Sequence, residues 1–94
     1  MKISDINVSS KRIDIEAKVI EKEEPRDIIT KYGQTKVANA IIEDDTGRLK
    51  LTLWGEHADK VNEGDKIKIT NGFVSTFRDE LQLSVGKFGR LEIL

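Results

Sequence analysis

The sequence predicts an all-β domain: a five-stranded barrel wound in Greek-key order, with one short helix between its third and fourth strands. Three observations lead there. Aliphatic and charged residues alternate in short runs, the pattern of strands buried on one face. Turn-forming residues separate these runs at short intervals. The runs also come in a fixed order, three strands, a helical stretch, then two strands.

Ninety-four residues fit one domain, residues 1–94, since a chain of this length builds a single modest core. Hydrophobic residues make up 37% and charged residues 35%. The charges are interleaved with aliphatics and form no blocks, which favours a folded β-rich domain over a disordered tail. Cysteine is absent, which removes disulfides, thiolate metal sites and thiol nucleophiles. No apolar run approaches the ~20 residues of a membrane span, and the N-terminus lacks the apolar stretch of a signal peptide. The expectation is a soluble, intracellular (cytoplasmic) protein. Its net charge of −1 counts against duplex DNA as a ligand, because duplex binders carry a basic face. It counts less against a single strand, where aromatic faces share the work.

Ser4 is placed to cap one short helical turn, with Ile3 and Ile6 covering an end of the core. From Lys11 the alternation is strict: Ile13, Ile15, Ala17 and Val19 point one way, and Arg12, Asp14, Glu16 and Lys18 the other. This is the first strand. Pro25 ends or bends it, since proline donates no ladder bond, and residues 26–34 read as a loop. The second strand, residues 35–43, alternates poorly and leaves its faces unassigned. Asp44, Asp45, Thr46 and Gly47 form a tight hairpin turn. The third strand, residues 48–54, separates cleanly: Leu49, Leu51 and Leu53 inward, Arg48, Lys50, Thr52 and Trp54 outward. Residues 56–61 form a short helix with Ala58 and Val61 on one side, stopped by Asn62 and Gly64. The fourth strand starts at Asp65 with Ile67 and Ile69 inward and runs past Gly72 to Phe77. After a turn at Arg78 and Asp79, the fifth strand covers residues 80–85, with Leu81, Leu83 and Val85 inward. Gly86 and Gly89 break the pattern before a last short segment, residues 91–94. This is the element order of the OB-fold, whose helix plugs the gap between strands three and four.

Trp54 is the one tryptophan, and parity sets it in line with Arg48, Lys50 and Thr52. An aromatic beside two cations on an outward strand face suits base stacking with phosphate attraction. Phe73 and Phe77 share parity with the inward Ile67 and Ile69. In an unbroken strand both enter the barrel; a bulge at Gly72 turns both outward. Spacing leaves both arrangements open. Tyr32, between Lys31 and Gly33 at a loop tip, either binds a ligand or folds back on the barrel wall. Phe88 is expected to cover the barrel's open end. Arg26, Lys31, Lys36, Arg48, Lys50 and Arg78 together are candidates for a groove of positive potential. The inventory for catalysis is thin. His57 has no partner at ligand spacing, Asp44 and Asp45 do turn work, and no catalytic signature occurs. The reading is of a non-enzyme without metal, cofactor or small-molecule substrate.

The stretch from Ala40 to Gly55, AIIEDDTGRLKLTLWG, resembles the signature of archaeal single-stranded DNA-binding proteins and replication protein A (RPA) subunits: an acidic-acidic-Thr-Gly turn, then a strand ending in Trp. Thr30, Lys31 and Gly33 in the first loop, residues 61–64 before strand four, and residues 71–77 leading to Leu81, Gln82 and Leu83 also fit. The resemblance covers about residues 3–94. It implies stacking of bases on Trp54, Phe73 and Phe77, and so favours the bulged fourth strand. Relatives often carry Trp where Phe73 stands, which implies a weaker stack there. Such proteins commonly continue into a disordered tail or further OB domains, so the chain is expected to be one domain of a longer subunit. The implied partners are single-stranded DNA, other RPA subunits and replication or repair proteins. Two other readings share the fold: an OB module for protein assembly within an RPA-like complex, and an RNA-binding OB domain.

Overall fold

The computed structural model describes residues 2–94, except the side chains of Phe77 and of residues 86–88. Six strands form one sheet: β1 (Ile13–Lys22), β2 (Arg26–Thr30), β3 (Gly33–Asp44), β4 (Gly47–Trp54), β5 (Lys66–Phe77) and β6 (Glu80–Ile93). Five of them close into a barrel. β1 pairs with β5 through its first half and with β3 through its second, while β4 joins β3 on one side and β6 on the other. The β4–β6 pair is the one parallel junction and spans three residues a side, Lys50–Thr52 against Gln82–Ser84. Closure leaves the barrel strands without the unpaired edges that invite aggregation.

The alternation read from the sequence becomes the core. Ile13, Ile15, Ala17 and Val19 of β1, Leu49, Leu51 and Leu53 of β4, and Ile67 and Ile69 of β5 are all buried. On β3 the inward residues are Ala38, Ala40 and Ile42, which assigns the faces that poor alternation left open. Each valine, leucine or isoleucine so buried contributes roughly 1.5–3 kcal/mol. Two plugs finish the ends. The helix α1 (Glu56–Lys60) brings in Ala58, followed by Val61, both 0% exposed. At the other end of β4, a 3₁₀ turn (Ile3–Asp5) places Ile3 and Ile6 over the core.

That turn is held by the β3–β4 hairpin. The Asp44 carboxylate accepts hydrogen bonds from the Ile3 N–H, from the N–H and hydroxyl of Thr46, and from the Gly47 N–H. The Thr46 hydroxyl oxygen accepts the Ser4 N–H in turn. Burial opposes ionisation of Asp44, but the hydrogen bonds outweigh it and lower its pKa to about 2. Ser4 therefore lies inside the turn and does not cap it; the Asp5 carboxylate accepts the Lys2 N–H.

Three other expectations need correction. Residues 26–34 are no loop. They form β2 and the turn of a β2–β3 hairpin, with Arg26 opposite Val37 and Thr30 opposite Gly33. Pro25 sits in the link before β2, where its missing N–H breaks no ladder. The second barrel strand begins at Gly33, two residues earlier than expected, because that hairpin extends it. Finally, the fifth strand does not end at residue 85: β6 runs to Ile93, with Arg90 to Ile93 pairing Ile67 to Thr70. Its register with β5 jumps from Val85 opposite Gly72 to Arg90 opposite Thr70, so Gly86 and Gly89 lie where the pairing is irregular, at the break that the sequence pattern marks. Phe88, expected at the open end, lies outside the described side chains.

Candidate nucleic-acid interface

The barrel consumes one parity of each strand and leaves the other outside. On β4 the outward residues are Arg48, Lys50, Thr52 and Trp54. Pairing extends this face sideways. Thr52 pairs with Asn39 of β3 and Ser84 of β6, and Ser84 pairs with Phe73 of β5. A row Asn39–Thr52–Ser84–Phe73 thus crosses four strands. Its middle is small and polar: Thr52 and Ser84 are both buried. Its end is aromatic, with Phe73 47% exposed. Trp54, two residues beyond Thr52, is 43% exposed. Val37, its partner on β3, is buried on this outer side, apart from the barrel core.

Phe73 reaches this face because β5 is irregular. Against β1, Ile15 pairs with Ile69 but Ile13 with Gly72, so β5 spends three residues where β1 spends two, and Asn71 (φ +56°) lies in that bulge. One extra residue exchanges the faces beyond it. Ile67 and Ile69 point in before the bulge; after it Val74 packs on the core and Phe73 points out. Gly72 is needed at this point for lack of space. A Cβ there would lie 3.0 Å from Ile69 Cγ2, 3.2 Å from Leu83 Cδ1 and 3.3 Å from the Ser84 carbonyl oxygen. Phe77 pairs with Glu80 at the end of β5, and its side chain lies outside the described set.

Phe73 is two strands across and two residues along from Trp54. At 4.8 Å between strands and 3.4 Å per residue, their Cα atoms are about 12 Å apart. Successive bases in a stacked strand rise only ~3.4 Å. Adjacent bases reach both rings only in an extended, unstacked chain.

The β2–β3 hairpin stands beside Trp54 as an arm. Arg26, at its base, pairs with Val37 and so continues the Trp54 row. At its tip Lys31 lies 5.1 Å over the Tyr32 ring, and Tyr32 is 88% exposed, as is Ile29 on β2. Of the two conformations open to Tyr32, the exposed one is observed.

The other basic candidates divide. Lys50 is partly buried on the outward face, between Gln82 and Ile41 in register. Arg78 is exposed in the β5–β6 turn, where both it and Asp79 have positive φ. Arg48 is bound to Glu43 at 2.7 Å. Lys36 has the parity opposite to Val37 and reaches the helix, 3.1 Å from Asp59. It is not brought to the Trp54 side, because an odd step along a strand reverses the face. Beyond Lys50, Glu21, Glu23 and Glu63 share a cleft of about 520 Å³ with Lys22 and Lys50. Ser84, Asn39 and Ile29 join the site through pairing alone, and no sequence pattern marked them, whereas Arg26 was among the basic candidates. Among the described residues no three His, Asp or Glu side chains are grouped to hold a metal. No helix among them is long and apolar enough to cross a membrane.

Comparison with known proteins agrees with this geometry. The model of the family "Single-stranded DNA binding protein Ssb-like, OB fold" matches residues 4–93. The chain is 38% identical over 85 residues to the single-stranded DNA-binding protein Ssb of Saccharolobus solfataricus, covering 90% of this chain and 57% of that protein. It thus spans little more than half the length of that relative. Among solved structures, the OB domain of a Thermoplasma acidophilum protein superposes with a TM-score of 0.86 at 26% identity, covering 100% of this chain and 85% of that one. The second OB-fold domain of replication protein A from Methanococcus maripaludis gives 0.82 at 28%, covering 100% and 93%. The chain belongs to the Ssb-like OB-fold family.

Proposed function

We propose that this member of the Ssb-like OB-fold family binds single-stranded DNA without sequence preference and without catalysis, in replication, repair and recombination. The observation that carries the reading is the pairing of two half-exposed aromatics, Trp54 and Phe73, across a small polar floor. A folded protein ordinarily uses such rings to fill its core. Here they are held out of it by β4 parity and by the β5 bulge. Every base has a π-face, so stacking worth ~1–3 kcal/mol per base tolerates any sequence. Phe77 is the third stacking residue in this reading, and Tyr32 on the arm a fourth. Thr52 contributes to the floor between the rings. Lys31, Lys50 and Arg78 neutralise phosphates. Lys36 and Arg48 contribute less, since Asp59 and Glu43 already hold them. Three phosphates correspond to a slope of log K against log salt near −2, at ~0.7 per phosphate. A footprint of about 4–6 nucleotides is expected, the low end for an OB-fold.

Trp54 is the one tryptophan, so its fluorescence reports on the face directly. Titration with a dT oligomer should quench it strongly, and a hairpin duplex at the same salt should compete poorly. Equal competition by the duplex would sink the stacking mechanism. An unchanged signal with dT would instead favour the assembly role. Equal quenching by a uridine oligomer would extend the ligand class to RNA.

A further inference from the structure

Beyond Phe73 the surface does not flatten out. A cleft of about 520 Å³ opens between the segment before β1 and the β5 bulge, lined by Val8, Lys11, Arg12, Asn71, Phe73 and Val74 among others. Ile13 is the register partner of Gly72, so Lys11 and Arg12 leave β1 alongside Phe73. Both are exposed, and neither belongs to the ion pairs described above. Arg12 has the parity opposite to the buried Ile13. Its φ of +51° is a left-handed conformation that non-glycine residues seldom adopt. The facing strand carries the same irregularity: Asn71 has φ +56°, and its N–H donates to the Asp14 carboxylate at 2.8 Å. Two non-glycine residues in left-handed conformation thus meet at one place, beside an exposed aromatic and two cations. Non-glycine residues in such conformations gather at ligand sites, where surrounding structure holds them.

We propose that this cleft is a second phosphate-binding subsite, in which Lys11 and Arg12 hold the one or two phosphates next to the base stacked on Phe73. The inference rests on the single-strand reading above and extends its footprint past the aromatic face. A phosphate is the ligand chemistry that two cations beside a stacking ring select, since attraction to a backbone charge needs no base code. The subsite lies at the end of the face away from the arm, so it engages only strands long enough to run past Phe73.

The test uses dT oligomers of increasing length against the whole chain, the Lys11→Ala and Arg12→Gly variants, and the double variant. Glycine at position 12 removes the cation while suiting the backbone conformation, so the fold is kept. For long oligomers, each substitution should lower the magnitude of the salt slope by about 0.7, and affinity about fivefold at 0.1 M salt, converging with the parent near 1 M. For the shortest oligomers that still quench Trp54, the variants should match the parent. Arg12→Lys should restore most of the loss. Unchanged slope and affinity in the double variant at every length, with normal quenching, would overturn the subsite and leave the stacking reading intact. Equal losses at all lengths would also overturn it, by showing a general charge effect. A parent chain that does not bind dT at all would overturn both readings.

Discussion

The two hairpins that involve β3 do opposite work. The β3–β4 hairpin turns at Asp44, Asp45, Thr46 and Gly47, and this turn is bonded into the rest of the fold. Asp44 bonds the turn and the N-terminal segment together, Ile3 and Ile6 close the barrel beneath it, and both strands feed the core. The β2–β3 hairpin turns at Lys31 and Tyr32, and its projecting arm, residues 26–36, contributes no residue to the core cluster. Around its turn the bonds are its own ladder and the Thr30 hydroxyl, which donates to the Gly33 carbonyl and accepts the Tyr32 N–H. Only at its base does Lys36 reach Asp59 and, through its carbonyl, accept the Gly55 N–H. Ile29 and Tyr32 are left in solvent. The difference teaches where the molecule keeps stability and where it keeps surface for a ligand. A turn that bonds to distant segments fixes the fold. One that bonds only to itself is free to meet a partner.

Trp54 lies between the two, at the end of β4 and at the foot of the arm, and it gives the largest expected effect. Trp54→Ala should weaken binding of a dT oligomer by roughly 1–3 kcal/mol, measured by fluorescence anisotropy of a labelled strand. The unfolding free energy from urea titration should change by no more than about 0.5 kcal/mol, as for an ordinary surface position. A protein that unfolds but binds normally when folded would place Trp54 with the structural hairpin instead.

Gly72→Ala should destabilise by roughly 1–3 kcal/mol, because the new methyl meets packed side chains and a carbonyl. It should also weaken dT binding, since the bulge that turns Phe73 outward is disturbed. Loss of stability with unaltered affinity would separate the bulge from the site.

Asp44→Asn should cost about 0.5–2 kcal/mol, as for loss of a turn or cap acceptor, with dT affinity unchanged. Acid should imitate it. The folded pKa of about 2 lies below the ordinary 3.8, so the charged form is favoured by folding. That contribution is complete above about pH 4 and disappears as pH falls to 2. A urea-stability profile for the parent and the Asn variant should converge there. Parallel profiles would show that Asp44 is not the group responsible.

The smallest effect belongs to the arm. Ile29→Ser with Tyr32→Ala should shift stability by less than about 0.5 kcal/mol, while reducing dT affinity by less than Trp54→Ala does. A large stability loss would show that the arm is part of the fold and abolish the contrast.

Much of this was legible in the residues. Strict alternation in β1 and β4 and the DDTG turn specify local conformation, and local conformation depends on near neighbours. Parity therefore located Trp54 outside the barrel, and strand and helix order led to the OB-fold. Other facts depend on partners far away in the chain. The arm is a strand only because residues 33–37 lie beside it, and β6 runs on to Ile93 because residues 67–70 offer its last residues a ladder. The outward turn of Phe73 needs the pairing shift at Asn71, which spacing could suggest but not choose. Lys36 and Lys50 look alike along the chain. One is directed to the Asp59 carboxylate and the other onto the outward face, because pairing and helix packing assign their surroundings. Sequence carries periodicity, which is a property of one strand. The site is a property of a row across four strands, and only closure of the barrel brings that row together.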